Sequence, residues 1–353
     1  MTPRVAFRFE ARTFHITRYL CSAILFSGMT PMSSAAQSIG GMGTPTRQAT
    51  PLEKADLPGG ATCAVFGLED DPQDASICSE VSHASMSGQW EEARQLAAKL
   101  TKLYPKSGIG NFWLGQIDFK QGNNIAAVRQ FETAVDLNPN VDLVHLDLGL
   151  CYLTIHQYKL FEQQMNWVVA RNPRISLPYY YLGQYYLNNL DQPERAGEYF
   201  QQALLRNPND FKSRYHLGYI YEVKSQADKA IKEYELAVET AALQKTAFSW
   251  PLQGMVRLYM LKESLPEALR YAREAVSMES KLAGNHTTLG KLYLQMEETS
   301  KGIEELKVAA DLDPTDSAPH YWLSRAYVKL KLPAEAEREQ KLFLEIRAAY
   351  GNE

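Results

Sequence analysis

Apolar, aromatic and small residues recur three and four positions apart along most of the chain, from about residue 74 to residue 350. Charged and amide side chains fill the positions between them. Spacings of three and four place side chains on one face of an α-helix. The pattern therefore predicts a series of amphipathic helices that pack through their apolar faces.

This helical pattern itself repeats. Pro105, Pro139 and Pro173 are each 34 residues apart, and Pro208 follows 35 residues later. A Leu-Gly-x-x-Tyr element recurs between them, and a second helix with a small residue and a larger one four positions later follows each copy, as at Ala196 and Phe200. The copies are Leu148-Gly149 with Tyr152, Leu182-Gly183 with Tyr186, Leu217-Gly218 with Tyr221 and Leu289-Gly290 with Tyr293, with weaker copies at Leu114, Met255 and Leu323.

These residues, in phase, resemble the tetratricopeptide repeat family over residues 74–350, as about eight repeats. The resemblance implies an all-α fold, a right-handed superhelical solenoid of helix-turn-helix repeats. The first repeat has Glu80-Val81 where Leu-Gly would stand, which leaves its first helix in doubt. Between Ala237 and Met255 the phase slips by four residues, and we expect an extended helix or loop and a bend there. The last helix, from Ala334 to about Tyr350, carries enough charge to act as a solvating cap.

The first 36 residues have the composition of a secretory signal peptide. Four arginines precede an apolar run from Tyr19 to Phe26, and small residues end at Ala36. The run is about ten residues, against the roughly 20 of a membrane-spanning helix. Cys21 opens the run instead of closing it, which argues against a lipid anchor. We expect cleavage near Ala36 and a periplasmic or secreted protein; a disordered or wrongly started leader is the alternative.

Residues 37–73 are rich in Gly and Pro and predict a flexible linker with one apolar patch at Ala64-Val65-Phe66. In an oxidising compartment Cys63 and Cys78 could form a disulfide that pins the linker onto the first helix. The sequence leaves that pairing open. Cys151 lies inside a helical pattern and is expected to be a buried small hydrophobic residue.

Composition and motifs argue against catalysis. No zinc, phosphate-loop, dinucleotide or nucleophile-elbow motif occurs, and the repeats leave no room for a catalytic domain. His145, His286 and His320 each lie three residues before a Leu-Gly or Leu-Ser pair, a packing position in this family, so we predict no metal and no cofactor. The formal net charge is −4, more negative without the leader, which argues against a nucleic-acid partner.

The resemblance implies that the first helix of each repeat lines a concave groove. Residues two before the Leu, one after the Gly and one after the Tyr share a face away from the packing stripe. They predict a groove that runs from apolar, through a tyrosine patch, to a row of cations. The candidate partner-binding residues are Phe112, Phe119, Leu146, Tyr180, Gln184, Tyr215, Tyr219, Arg257, Lys291, Tyr321 and Arg325. Apolar residues buried by neighbouring helices, and cations that merely solvate an acidic protein, are the alternative interpretation.

These features predict a non-catalytic scaffold that binds a protein or peptide segment of acidic or C-terminal carboxylate character, since aligned cations favour an anion. The Lys/Asn/Arg set with which co-chaperone members grip a carboxylate is not matched, because Gln116 and Gln184 replace the asparagine. A scaffold that self-assembles through its terminal repeats is the main alternative. An enzyme or its regulatory subunit is the least supported.

Overall fold

The computed structural model describes residues 65–67 and 72–350. Within these ranges the chain forms sixteen α-helices and no strand. In chain order they are α1 Pro72–Met86, α2 Trp90–Leu103, α3 Ile109–Lys120, α4 Asn124–Leu137, α5 Asp142–Thr154, α6 Tyr158–Arg171, α7 Leu177–Asn188, α8 Pro193–Arg206, α9 Phe211–Val223, α10 Ala227–Leu243, α11 Trp250–Leu261, α12 Leu265–Met278, α13 Ala283–Gln295, α14 Thr299–Leu312, α15 Ala318–Lys329 and α16 Pro333–Tyr350. The predicted leader and the linker up to residue 64 lie outside the described residues and stay predictions.

Consecutive helices pair into eight helix-turn-helix repeats, as predicted, and the described part is an all-α solenoid. The odd-numbered helices are the first helices of the repeats, and α1 supplies the one that the sequence left in doubt. Several first helices of successive repeats contact one another directly: α3 with α5, α9 with α11, α11 with α13 and α13 with α15. Direct contact between them places the first helices on the inner, concave side of the array.

The recurring glycine lets the two helices of a repeat approach closely. A Cβ atom built on Gly183 would lie 2.8 Å from the Phe200 ring, and one on Gly218 would lie 2.6 Å from the Tyr234 ring. The facing rings are fully buried. The Leu-Gly pair therefore serves packing: because glycine has no side chain, an aromatic ring of the second helix can lie directly against the first helix.

The turn within each repeat contains one residue with a left-handed backbone. These residues, one per repeat, are Gly88, Gly122, His156, Asp191, Ser225, Glu263, Glu297 and Lys331. The next residue donates its backbone N–H to a carbonyl one turn back in the first helix, as Gln226 does to Tyr221 over 2.8 Å. This is the Schellman arrangement that ends a helix and satisfies its last carbonyls. Six of the eight positions are not glycine, although the conformation is strained for other residues.

The phase slip after Ala237 is absorbed by helix length and a loop, as predicted. Helix α10 has 17 residues where the other second helices up to α14 have 14. The loop that follows turns Phe248 into the core, with its ring centroid 4.9 Å from that of Phe211. The expected bend stays a prediction.

The segment before α1 takes part in the core, which the linker prediction did not anticipate. Phe66 is buried, and its ring centroid lies 5.6 Å from that of Phe112 on α3. Cys78 on α1 is disulfide-bonded. Cys63, the partner that the sequence suggests for it, lies outside the described residues, so the pairing stays a prediction. Cys151 is a free, fully buried thiol, and burial raises its pKa.

Helix α16 has seven charged residues among its 18, and Ala336 is its one buried residue; its role as a solvating cap stays a prediction. Among the helices of the described residues, none combines the length and apolar character needed to cross a membrane.

Candidate functional site

The residue that follows each Leu-Gly position lies on the concave side of its first helix. We call these residues the concave row: Gln116, Leu150, Gln184, Tyr219, Arg257, Lys291 and Arg325. Leu150 is buried, Arg325 is exposed, and the other five are half-buried. A half-buried polar side chain on an inner surface can contact a ligand with little rearrangement, and the role of this row in binding stays a prediction.

The residues two before the leucine belong mainly to the core. Phe112, Leu146, Tyr180 and Tyr215 are buried, whereas Gln253 and, in the last repeat, Tyr321 are half-buried. The Tyr180 ring packs on Phe200 and the Tyr215 ring on Tyr234, at centroid distances of 6.1 and 5.8 Å. The physical reason is that contacting first helices close over this position. The structure thus withdraws these four residues from the groove surface, and half-buried Phe119 packs beside the same core.

Glu222 joins three elements at the centre of the array. It accepts hydrogen bonds from Arg257 Nε and Nη2, at 2.8 and 3.0 Å, and from the Tyr234 hydroxyl at 2.6 Å. Burial disfavours a charged guanidinium, but Glu222 outweighs it and the pKa of Arg257 is raised. Arg257 is therefore locked in a bidentate ion pair, and its charge is neutralised within the protein.

Tyr234 fixes the position of this ion pair. Its fully buried ring lies between two glycines, because Cβ atoms on Gly218 and Gly254 would lie 2.6 and 2.4 Å from it. Its hydroxyl then meets Glu222. Repeats five and six are thus joined by a buried aromatic ring whose polar end orients a carboxylate.

The two concave-row cations of the last two repeats, Lys291 and Arg325, have no carboxylate partner within the described residues. The Lys291 ammonium lies 5.1 Å from the centroid of the Trp322 ring and makes no ion pair there. Burial, then the charge of Arg257, lowers the pKa of Lys291. Arg325 donates a hydrogen bond of 3.2 Å to the Tyr321 hydroxyl. An anion placed here would relieve the repulsion between Lys291 and Arg257.

Gln184 belongs to a largely buried polar cluster. Its Nε2 donates to the Tyr180 hydroxyl at 2.8 Å and lies 3.4 Å from His216 Nε2. His216 is buried and stacks on Phe200, and burial lowers its pKa to about 3. The imidazole is therefore neutral near neutral pH, and it connects two repeats without adding charge to the groove.

A second buried polar group lies in the third repeat. Asp147 is buried and accepts a hydrogen bond from Gln116 of the concave row. Burial raises its pKa to about 8, although the Gln116 hydrogen bond and the charge of Lys120 oppose the shift. Burial likewise lowers the pKa of Lys120, which donates to Ser85 at 3.1 Å. Near neutral pH Asp147 is therefore largely protonated, and Gln116 adds no charge to this end of the row.

The three histidines before the Leu-Gly positions are packing residues, as predicted. His286 contacts Glu305 of its second helix at 2.7 Å, and His320 contacts Glu339 at 2.6 Å. His145 contacts Gln164 at 2.6 Å and stacks on Trp167. Each joins the two helices of one repeat. Among the described residues there is no group of three His, Cys, Asp or Glu side chains that could hold a metal ion.

A line of apolar residues lies beside the concave row; sequence reasoning placed Leu294 and Val328, one after the Tyr position, on the groove face and missed Val223 and Leu261. Val223, Leu261 and Val328 are 54%, 79% and 65% exposed, and Leu294 is half-buried. We call these four residues the edge row. Each follows a concave-row residue by three or four positions, so both lie on the same face of one first helix. That spacing is visible in the sequence, but the exposure is not.

Comparison with known proteins places this geometry in a family. The family model described as the tetratricopeptide repeat matches residues 180–244, and a second one with the same description matches residues 81–107. BBSome complex member BBS4 of Bos taurus is 28% identical over 127 residues, 36% of this chain and 24% of that protein. Tetratricopeptide repeat protein 21B of Mus musculus is 30% identical over 136 residues, 37% of this chain and 10% of that protein. The chain thus spans about a quarter or less of these relatives.

Solved structures with the same fold extend over most of the chain. The APC/C hetero-tetramer Cut9–Hcn1 gives a TM-score of 0.58 at 17% identity, covering 75% of this chain and 51% of that one. A tetratricopeptide repeat protein from Parabacteroides merdae gives a TM-score of 0.53 at 14% identity, covering 76% and 98%. At these identities the likeness concerns the fold alone. With the eight repeats and the two family matches, it establishes that the chain is a tetratricopeptide repeat protein.

Proposed function

We propose that this protein is a non-catalytic scaffold that holds a segment of a partner protein along its concave face, in the periplasm or outside the cell after export. The fold supports binding, because stacked repeats form extended concave surfaces suited to protein ligands. The composition of residues 1–36 supports the location.

One observation carries the proposal for the concave face. Lys291 is half-buried with its ammonium over Trp322 and without a carboxylate partner among the described residues. Other cations of the array have such partners, as Lys224 has Glu194 and Lys262 has Asp228. Partly burying a cation without a counter-charge is unfavourable, and an incoming anion removes that cost.

The partner segment is therefore acidic, or ends in a carboxylate, where it meets the last two repeats. Lys291 and Arg325 are the residues that would contact the anion. Arg257 lies in the same row, but Glu222 already neutralises it, so we assign it to the architecture of the site. Of the three cations predicted to bind the partner, only Lys291 and Arg325 are therefore retained.

Charge removal tests the proposal. The double variant Lys291→Gln/Arg325→Gln is compared with Lys232→Gln/Lys307→Gln, which removes two exposed charges from the second helices α10 and α14. Each tagged protein is purified from the cell envelope, and the proteins that accompany it are quantified by mass spectrometry.

We expect the affinity of the double variant Lys291→Gln/Arg325→Gln for the partner to fall about tenfold, equivalent to about 1.4 kcal/mol, with a matching loss of recovered partner. The control should recover as much partner as the unmodified protein. Equal recovery of the same partners by both variants would contradict the proposal. Circular dichroism establishes that both variants are folded.

Self-association through the last repeat is a second candidate. Leu330, Leu332 and Leu344 are 44%, 38% and 54% exposed at that end. A second copy that covered them would bury this apolar surface. Light scattering over a wide concentration range tests it, and a constant monomer mass counts against it.

A further inference from the structure

The concave row and the edge row run side by side over the last four repeats. On α9 and α11 the pairs are Tyr219 with Val223 and Arg257 with Leu261; on α13 and α15 they are Lys291 with Leu294 and Arg325 with Val328. One helical turn, about 5.4 Å, separates the members of each pair. The surface thus offers a polar line that becomes cationic in the last two repeats and a parallel apolar line.

From these two rows we propose that the partner segment is an amphipathic α-helix with an apolar stripe flanked on one side by acidic residues. The inference rests on the proposed function and names the partner of the same site. The apolar stripe covers Leu261 and Val328, and the acidic flank faces Lys291 and Arg325. Charge complementarity fixes the orientation of the helix about its own axis.

The spacing of the first helices favours a helical ligand. These helices contact each other, and packed helices lie about 8–10 Å apart. An α-helix laid across them returns to the same face after seven residues, having advanced about 10.5 Å. An extended strand covers that distance in about three residues, which turns successive contact residues to opposite faces. A helix can therefore repeat the same apolar and acidic contacts on neighbouring repeats.

The exposed apolar residues gain most from such a ligand. Leu261 is 79% exposed and Val328 is 65% exposed. Burial of one such side chain in an interface contributes about 1.5–3 kcal/mol, which corresponds to about tenfold or more in affinity. The acidic flank of the ligand helix fixes its orientation and makes its affinity depend on salt, because it contacts partly exposed cations.

A designed peptide tests the proposal independently of the natural partner. The probe has about 21 residues, with leucines along one stripe, glutamates along one flank and alanine and glutamine elsewhere, and it carries a fluorophore for anisotropy. Three companions have a central proline, lysine in place of glutamate, or the same residues in scrambled order. Proline breaks the helix and leaves the composition nearly unchanged.

We expect the full-length protein to bind the first peptide and to bind each companion at least about tenfold more weakly. Leu261→Ser should weaken binding about tenfold, and Lys291→Gln should weaken it and reduce its salt dependence. The matched control is Leu205→Ser on α8, a second helix, where the leucine is 73% exposed. We expect the control to bind as the unmodified protein does.

Equal affinity for the proline peptide, unchanged binding by Leu261→Ser, or no binding at millimolar peptide overturns the helical ligand. None of these results contradicts the proposed function if the double variant Lys291→Gln/Arg325→Gln still loses its natural partner. If both experiments fail, the concave face is not the binding surface.

Discussion

Glu222 shows how single residues set the chemistry of the concave face. It satisfies Arg257 and Tyr234 together, and Tyr234 is held by the absence of side chains at Gly218 and Gly254. Removal of Glu222 or of Arg257 would leave the other partly buried charge unpaired, which costs more than the ion pair contributes to stability. Glu222 and Arg257 are thus unsuitable as binding probes, whereas Lys291 can be changed without leaving a carboxylate unpaired.

Asp147 gives a pH prediction at the residue scale. Its pKa of about 8 lies above the ordinary value of 3.8, so the folded state retains a proton that the unfolded chain releases. The stability from this group is complete below about pH 4 and is lost as the pH rises towards 8. Asp147→Asn cannot ionise and keeps an acceptor for Gln116. We expect its melting temperature to exceed that of the unmodified protein at pH 8.5 and to match it near pH 4, by circular dichroism.

Asp136→Asn, at an exposed position of α4, is the control and should show no such trend. The other titrating groups are the same in Asp147→Asn and in the unmodified protein and largely cancel when these two are compared. A difference between Asp147→Asn and the unmodified protein that does not change with pH would show that Asp147 is ionised in the fold.

At the residue scale, the sequence could predict the position of a side chain on its helix but not its contacts with another repeat. The concave row follows from the Leu-Gly spacing, and Gln184, Tyr219, Arg257, Lys291 and Arg325 lie where that spacing predicts. The partner of Arg257 does not follow, because Glu222 is 35 residues away and the contact depends on how two repeats stack. The burial of residues such as Tyr180 has the same origin, since contact between repeats decides it.

At the scale of elements, the turns within repeats keep one geometry while their sequences differ. Glu263 and Glu297 occupy the left-handed position that Gly88 and Gly122 occupy in the first two repeats. The Schellman hydrogen bonds are kept throughout. The turn is therefore imposed by helix packing, against the local preference of the residue.

Glycine at such a turn should stabilise the protein. Glu263 is exposed with φ of 57°. Glu263→Gly should raise the free energy of unfolding by about 0.5–1 kcal/mol, because glycine adopts this conformation without strain. Glu239→Gly, in the exposed interior of α10, should lower it by about 0.5 kcal/mol or more. Denaturant unfolding measures both, and a loss of stability in Glu263→Gly would contradict the strained turn.

The helices themselves were predictable, since period, proline spacing and the extended α10 are all visible in the pattern. The first helix α1 was not, because Glu80-Val81 and Ala84 replace the motif. There Val81 and Ala84 are buried and supply the packing without the usual residues. The apolar segment at Phe66 was noticed, but its contact with Phe112 on α3 joins residues far apart in the chain, which local sequence does not encode.

At the scale of the whole molecule, the eight repeats form one continuous inner surface of changing character. It is polar but nearly neutral around Asp147 and Gln184, aromatic around Tyr219 and cationic around Lys291 and Arg325. Three exposed residues of the apolar edge row, Val223, Leu261 and Val328, lie on the last four repeats beside these cations. The binding of a partner is therefore expected on α9, α11, α13 and α15.

Site-specific photo-crosslinking in cells tests this central claim most directly. A photoreactive residue replaces Leu261 on the first helix α11 or Leu205 on the second helix α8, two leucines of similar exposure, 79% and 73%. The account predicts a crosslinked partner at position 261 and none at position 205. Crosslinking of the partner only at position 205, or equally at both positions, would contradict binding on the concave face.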